Sequence, residues 1–192
     1  MLKIPCHLPK LMMKFNGVKY GKNLKLLGYP FVFKFKNCQV EIGNNCIINS
    51  NFFSNFIGLF QRTIIIARYG GKIRIGNKVG ISGATIYAWK EIEIGDNTLI
   101  GANTKIMDND FHPIDPNERK KSNGPHNVKQ KPVKIGNNVF IGCNCLILKG
   151  TVIGDNCVVG AGSVVSGTFE DGCIIAGNPA RVIKKCIDKE GN

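Results

Sequence analysis

The side chains of this 192-residue chain that titrate nearest neutral pH are three histidines, His7, His112 and His126, and eight cysteines. A neutral imidazole suits general-base work, and a thiol could serve as nucleophile or metal ligand. His112 stands in the run DNDFHPI, two residues after Asp110. In an extended segment residues i and i+2 share a face, so the Asp110 carboxylate could orient the ring or bind a ligand hydroxyl. A catalytic zinc with three histidine ligands is a poor fit, because His7 belongs to a distant segment and His126 lies fourteen residues beyond His112. No cysteines stand as Cys-x-x-Cys, and Cys143 and Cys145 are the only close pair. The cysteines read as small apolar fillers in a reducing compartment.

These groups need a scaffold, and the composition bounds it. The chain is 43% hydrophobic and 8% aromatic, enough for the core of one domain. No apolar run is long enough to span a membrane, and lysines interrupt every short apolar stretch of the first forty residues, which argues against a signal peptide and for a cytoplasmic protein. Lys+Arg exceed Asp+Glu by 26 to 13, and Lys3, Lys10, Lys14, Lys19, Lys22, Lys25, Lys34 and Lys36 all precede the first acid, Glu41. Such a flank suits a polyanion, anionic lipid headgroups, a phosphorylated cofactor or solubility alone. Phe31, Phe33 and Phe35 alternate with Val32, Lys34 and Lys36, which reads as a strand with one core face and one wet face rather than a nucleic-acid stacking platform.

The strongest pattern is a period of six. Ile135, Ile141, Ile147, Ile153, Val159 and Val165 recur without a break, most followed by Gly, and modest side chains stand four places after the first five: Val139, Cys145, Thr151, Cys157 and Ser163. A helix would scatter these aliphatics around its axis, and a meander would show longer alternating runs. Short strands joined by sharp corners fit instead, with three six-residue units closing one triangular turn, aliphatics on the axis, and Gly or Asn relieving strain at the bends. Ile94, Ile100 and Ile106 continue the pattern upstream with Thr98 and Thr104 in the small slots, as do Ile75 and Ile81 with Val79 and Thr85, and Ile42 and Ile48 with Cys46. Excursions are expected near residues 52–68 and 87–90.

The whole chain, 1–192, therefore reads as a single all-β domain: a basic segment and first strands at 1–40, coils at 41–107 and 132–166, a protruding Pro- and charge-rich loop at 108–131, and a tail at 167–192. His112 stands where the repeat breaks into the loop, and long loops in compact domains are usually functional. Pro179 ahead of ARVIKKCI predicts a short C-terminal helix that braces the last turn.

The run KPVKIGNNVFIGCNCLILKGTVIGDNCVVGAGSVVS followed by AGNPARVIKK resembles the hexapeptide-repeat acyltransferases, especially the galactoside, maltose and surface-polysaccharide O-acetyltransferase branch; the likeness covers about residues 73–185. The resemblance implies a left-handed parallel β-helix, a homotrimer, and acetyl-CoA in a cleft between neighbouring subunits. It further implies acetyl transfer to a sugar hydroxyl, as in capsule, lipopolysaccharide or exopolysaccharide biosynthesis, by direct attack with His112 as base and no metal.

By position within the resemblance, Asp110 and Ser82 are substrate-binding candidates. Phe140, Gly142, Cys143, Ala161 and Ser166 would line the pantetheine arm, while Arg181 and Lys184 would meet the nucleotide phosphates. Ser82-Gly83-Ala84 replaces asparagines that the galactoside branch carries near its acceptor. Cys143 and Cys145 fill a corner and an inward slot, so a covalent acyl-enzyme is disfavoured. An N-acetyltransferase acting on an amino sugar is the nearest alternative, since the same base serves an amine. A zinc lyase of the gamma-type carbonic anhydrase kind lacks its histidine spacing, and a non-enzymatic polyanion-binding coil would show steep salt dependence. The basic amino-terminal segment could touch a membrane surface, and nucleic acid is not expected as a partner.

Overall fold

The computed structural model describes residues 7–121 and 126–185. Lys3, Cys6, loop residues 122–125 and the tail beyond 185, Cys186 included, lie outside the described residues. From Lys19 to Gly177 the chain winds as a left-handed parallel β-helix. Every third strand pairs in parallel, which builds three sheets of seven, eight and six strands. The eighth strand of the second sheet is an antiparallel addition from the tail.

The six-residue ladder is the axis of this coil. Ile135, Ile141, Ile147, Ile153, Val159 and Val165 are each at most 1% exposed, and Val139, Cys145, Thr151, Cys157 and Ser163 are buried between them. Each such aliphatic stabilises the fold by roughly 1.5–3 kcal/mol. The polar residues in the small slots bridge successive rungs. Thr98 Oγ1 donates to Gly136 O at 2.9 Å and accepts from the Val139 N–H, and Thr104 does the same with Gly142 O and the Cys145 N–H. Satisfied hydroxyls carry no burial penalty. In the earlier block Ala84, not Thr85, takes the inward position: Ile86 follows Ile81 by five residues, and Thr85 faces outward.

The corners separate two roles that the sequence pattern merged. Asn45, Asn97, Asn138 and Asn156 sit at φ between 55° and 59°, the left-handed region that asparagine tolerates. The glycines after the aliphatics have no positive φ. They are small because rungs stack there: a Cβ on Gly95 would lie 2.5 Å from the backbone of Gly136, and one on Gly136 would lie 2.3 Å from Asp155 Oδ1.

Along the same corner runs a ladder of side chains. The backbone N–H groups of Asn44, Asn77, Asp96, Asn137 and Asp155 each donate to the carboxyl or amide oxygen of the residue one rung on, Asn77, Asp96, Asn137, Asp155 and Asp171. Donation from the Asn137 backbone holds the Asp155 carboxyl below the usual carboxylate range. A depressed carboxylate stabilises the fold above its unfolded pKa near 4, and that contribution is lost as pH falls through the folded value. The stability gap between wild type and Asp155→Asn should therefore shrink from pH 7 to pH 3, as read by urea midpoints; a gap that widens on acidification contradicts the ladder's role.

The faces differ in chemistry. In-register Lys19, Glu41, Arg74, Glu93 and Lys134 form a column of alternating charge up the seven-stranded sheet. Arg74 lies 2.6 Å from Glu91 and 3.0 Å from Glu93. The eight-stranded sheet presents Leu99 and Phe140, about half exposed, side by side. On the six-stranded sheet Val32 points inward, while Phe31, Phe33 and Phe35 form an outward row with ring centroids 6.0 and 5.1 Å apart.

Both ends of the coil are covered. At the amino end, helix α1 (His7–Phe15) buries Met13 and, beyond it, Val18 joins the core, while Leu8, Leu11, Met12 and Phe15 stay exposed. At the other end the described tail residues do not form the expected helix. Residues Ala180–Lys185 form a strand antiparallel to Cys173–Gly177. The β-branched pair Val182-Ile183 suits this, and the hairpin occupies the edge that the last coil strand would otherwise expose. The coil also runs past residue 166, since Thr168–Phe169 adds a strand to the first sheet and Cys173–Gly177 to the second.

Two excursions leave the coil. Residues 51–63 bulge out between the eight- and six-stranded sheets, pinned by Asn103, which accepts from the Phe60 N–H and donates to Gly58 O. Residues 108–131 leave between the six- and seven-stranded sheets, at the corner of His112. Within this loop Asp115 caps a short helix, Pro116–Lys121, by accepting from the Asn117 and Glu118 N–H groups.

Candidate active site

The base of the loop is fixed by Asp108, which is wholly buried. Its carboxylate accepts from the Trp89 N–H at 2.8 Å, the Lys90 N–H at 2.7 Å and Asn109 Nδ2 at 3.0 Å, and its carbonyl accepts from the Lys131 N–H. One residue thus joins the preceding rung, through its side chain, to both ends of the loop. Asp108→Ala leaves two backbone donors unpaired and should cost on the order of 3 kcal/mol, a Tm fall of roughly 6–12 °C by calorimetry. A fall under about 2 °C would show that the loop is anchored elsewhere.

Beyond Asp108 the chain is not extended, as expected from sequence, but sharply turned. The His112 N–H donates to Asp110 O at 2.6 Å, with Phe111 between them at φ +60°. A hydrogen bond from i+2 to i around a positive φ marks the strained form of γ-turn, rare for a residue with a Cβ. Strain of this kind costs of order 1–3 kcal/mol and persists where surroundings enforce it. Here the Phe111 ring lies 5.2 Å from Tyr87 and 6.1 Å from Trp89, and its N–H donates to Asn109 Oδ1. Tyr69 completes the cluster at 4.8 Å from Trp89, under the guanidinium of Arg68. The turn presents His112 as an exposed ring on the molecular surface.

Asp110 does not act on the imidazole in this arrangement. Its Oδ1 accepts from Lys149 Nζ at 2.5 Å, with both side chains about three-quarters buried. Its Oδ2 is shielded from solvent and has no partner among the described residues. Lys149 comes from the same corner one rung on, and nothing in its LKG setting distinguished it in the sequence. Phe111 and Asp108 lay inside the quoted run DNDFHPI, yet their roles depend on contacts with residues 87–90.

The other candidates divide between places. Ser166 follows on the same corner as His112 and is exposed. Ser82, Gly142, Cys143 and Ala161 occupy the next corner, between the eight- and six-stranded sheets. One strand plus its bends separates these corners, roughly 15 Å. Ser82 is only 8% exposed and its hydroxyl accepts from Asn49 Nδ2 at 3.0 Å. A Cβ on Gly142 would lie 2.6 Å from Ala161 N, so adjacent backbones meet closely there. Cys143 is half-buried beside a buried Cys145, whose thiol burial pushes up in pKa; all six described cysteines are free.

Arg181 and Lys184 stand on the tail strand rather than a helix. They pair across to Ala176 and Ile174, residues two apart on the outward face opposite buried Ile175, with a bulge between. The register therefore brings both cations to one face, although they are three residues apart. Among the described residues no group of three or more His, Cys, Asp or Glu side chains is arranged to hold a metal ion.

A family described as bacterial transferase hexapeptide (six repeats) matches residues 132–167, and a hexapeptide repeat of succinyl-transferase matches 91–106. A putative lipopolysaccharide biosynthesis O-acetyl transferase of Escherichia coli is 33% identical over 168 residues, spanning 79% of this chain and 81% of that protein. The Escherichia coli galactoside O-acetyltransferase is 39% identical over 123 residues, 64% of this chain, and the match spans 58% of that relative. An N-acyltransferase from Bacillus cereus, solved as a mutant with dTDP and coenzyme A, superposes with a TM-score of 0.69 at 26% identity, covering 94% of this chain and 90% of that one. Repeat, coil and relatives agree: the chain belongs to the hexapeptide-repeat acyltransferases.

Proposed function

We propose that the chain transfers an acetyl group from acetyl-CoA to a sugar hydroxyl, with His112 as general base. The observation that carries this reading is the strained turn that holds His112 out at the corner where the coil breaks. Acetyl-CoA supplies the activated carbonyl. His112 takes the proton of the attacking hydroxyl and returns it to the departing sulfur, so the O–H and C–S bonds break as the ester C–O bond forms. Arg181 and Lys184, on one exposed face, suit the nucleotide phosphates, and Phe140 with Leu99 gives an apolar wall for the pantetheine arm. Because Ser82, Cys143 and Ala161 stand one corner away from His112 and Ser166, the complete site is formed between neighbouring copies, as a homotrimer would provide. The O-acetyltransferase relatives support a glycan acceptor, in a surface-polysaccharide setting.

The Bacillus cereus N-acyltransferase likeness favours a second reading, an amine on an amino sugar as acceptor. An acceptor screen that follows free thiol release from acetyl-CoA separates the two. Turnover with hydroxyl sugars is expected; turnover with amines alone selects the alternative, and release with neither rejects both. The half-buried Cys143 tests the donor site independently. Among the described cysteines it should be alkylated first by iodoacetamide, since burial raises the thiol pKa of Cys46, Cys145 and Cys157. Acetyl-CoA should slow that alkylation at least about fivefold by peptide mass mapping, as expected for an occluded thiol; an unchanged rate would remove Cys143 from the donor site.

A further inference from the structure

We infer that Lys149 is a positioning residue for His112, acting through Asp110; this rests on the reading of His112 as the base. Three observations carry it. The turn that presents His112 is closed by a single backbone bond, from the His112 N–H to Asp110 O, around a residue in a disfavoured conformation. Such a turn does not hold itself. Besides the backbone bond from the Asp110 N–H to Lys129 O at 3.2 Å, side chains restrain it from two sides: the Phe111 ring against Tyr87 and Trp89, and the side chain of Asp110. That side chain is in turn held at 2.5 Å by Lys149, in the most buried of the ion pairs among the described residues.

The two anchors come from different rungs. Tyr87 and Trp89 belong to the rung before the loop, and Lys149 to the rung after it. The turn is therefore clamped from below by rings and from above by a charge. Partial burial makes the Lys149–Asp110 contact stronger than an exposed pair and fixes which carboxylate oxygen is used. Lys149 takes Oδ1 and leaves Oδ2 shielded and unpartnered. Without Lys149, Asp110 would turn toward solvent or toward the other cations of the loop base, Lys129 and Lys131, and carry the turn with it.

The test compares Lys149→Met, Lys149→Arg, Asp110→Asn and the double variant Asp110→Asn/Lys149→Met, using full-length protein, acetyl-CoA and the acceptor found by the screen. Methionine keeps the methylene packing at this corner, and the Asp110 variant reaches the same pair from the other side. Displacing a base by about 1 Å costs up to about a hundredfold, so Lys149→Met is expected to lower kcat by roughly 30-fold. KM for acetyl-CoA should stay within about twofold, because its binding groups are untouched. Lys149→Arg should retain at least about a third of kcat, since the charge and its reach remain. The double variant should be no slower than Asp110→Asn alone, as for two members of one device.

Wild-type kcat in Lys149→Met, or effects of the two single variants that simply multiply, would overturn the inference. A loss in Lys149→Met that Lys149→Arg does not restore would overturn it as well. Failure of the underlying reading looks different: wild-type protein would then release no thiol with any acceptor, or His112→Ala would keep full rate.

Discussion

His112→Ala is expected to lower kcat for acetyl transfer by roughly a thousandfold, with KM for acetyl-CoA changed less than about threefold. The size follows from the task. An alcohol must lose its proton as it attacks, and a positioned base of near-neutral pKa contributes on the order of 10²–10⁴ in rate. The small KM effect follows from place, since the cations and apolar surface suited to the donor lie on the tail strand and the eight-stranded sheet, not in the turn. Steady-state kinetics with circular dichroism as a folding control decides it. His126→Ala, at the exposed far end of the loop, should behave as wild type. A His112 variant within a few-fold of wild type would move the base elsewhere.

Gly95→Ala should destabilise the fold by about 3 kcal/mol or more, a Tm fall of roughly 6–12 °C. The new methyl would meet the carbonyl carbon and oxygen of Gly136 at 2.5 Å and the Asn137 nitrogen at 2.7 Å. These are backbone atoms of the next rung, so relief requires prying two rungs apart and weakening the ladder bonds on both sides. Gly162→Ala is the contrasting case. It has open space but a φ of +72°, so its penalty is the left-handed conformation alone, about 1–2 kcal/mol. Equal losses at the two sites would mean that conformation, not stacking, explains the glycines after the aliphatics.

That distinction also marks what the sequence could and could not reveal. A strict period needs only local spacing, so Ile135 to Val165 announced the coil, and every one of them is buried. Why glycine follows them depends on distances between rungs about eighteen residues apart, which spacing does not encode. The tail was misread for the same reason. Pro179 and the run ARVIKK are locally compatible with a helix, and only the open edge of Cys173–Gly177 makes the strand the better state.

The active corner was legible to the same depth. His112 stood out because the repeat stops there, and the i, i+2 relation to Asp110 was visible. The turn between them was not, since Phe111 at positive φ is held by Tyr87 and Trp89, more than twenty residues earlier. Nor was Lys149, thirty-nine residues on, visible as the partner of Asp110. Ser82 was a substrate-binding candidate by position alone, and its hydroxyl is nearly buried against Asn49 because the strands stack in register.

The most direct test of the account is the product itself. Purified protein is incubated with acetyl-CoA and the acceptor that releases thiol, and the sugar is weighed by mass spectrometry before and after mild alkali. One added acetyl group that alkali removes, as an ester requires, is expected, and it should be missing from the His112→Ala reaction. An acetyl group that survives alkali, or an unmodified sugar beside released thiol, would contradict it.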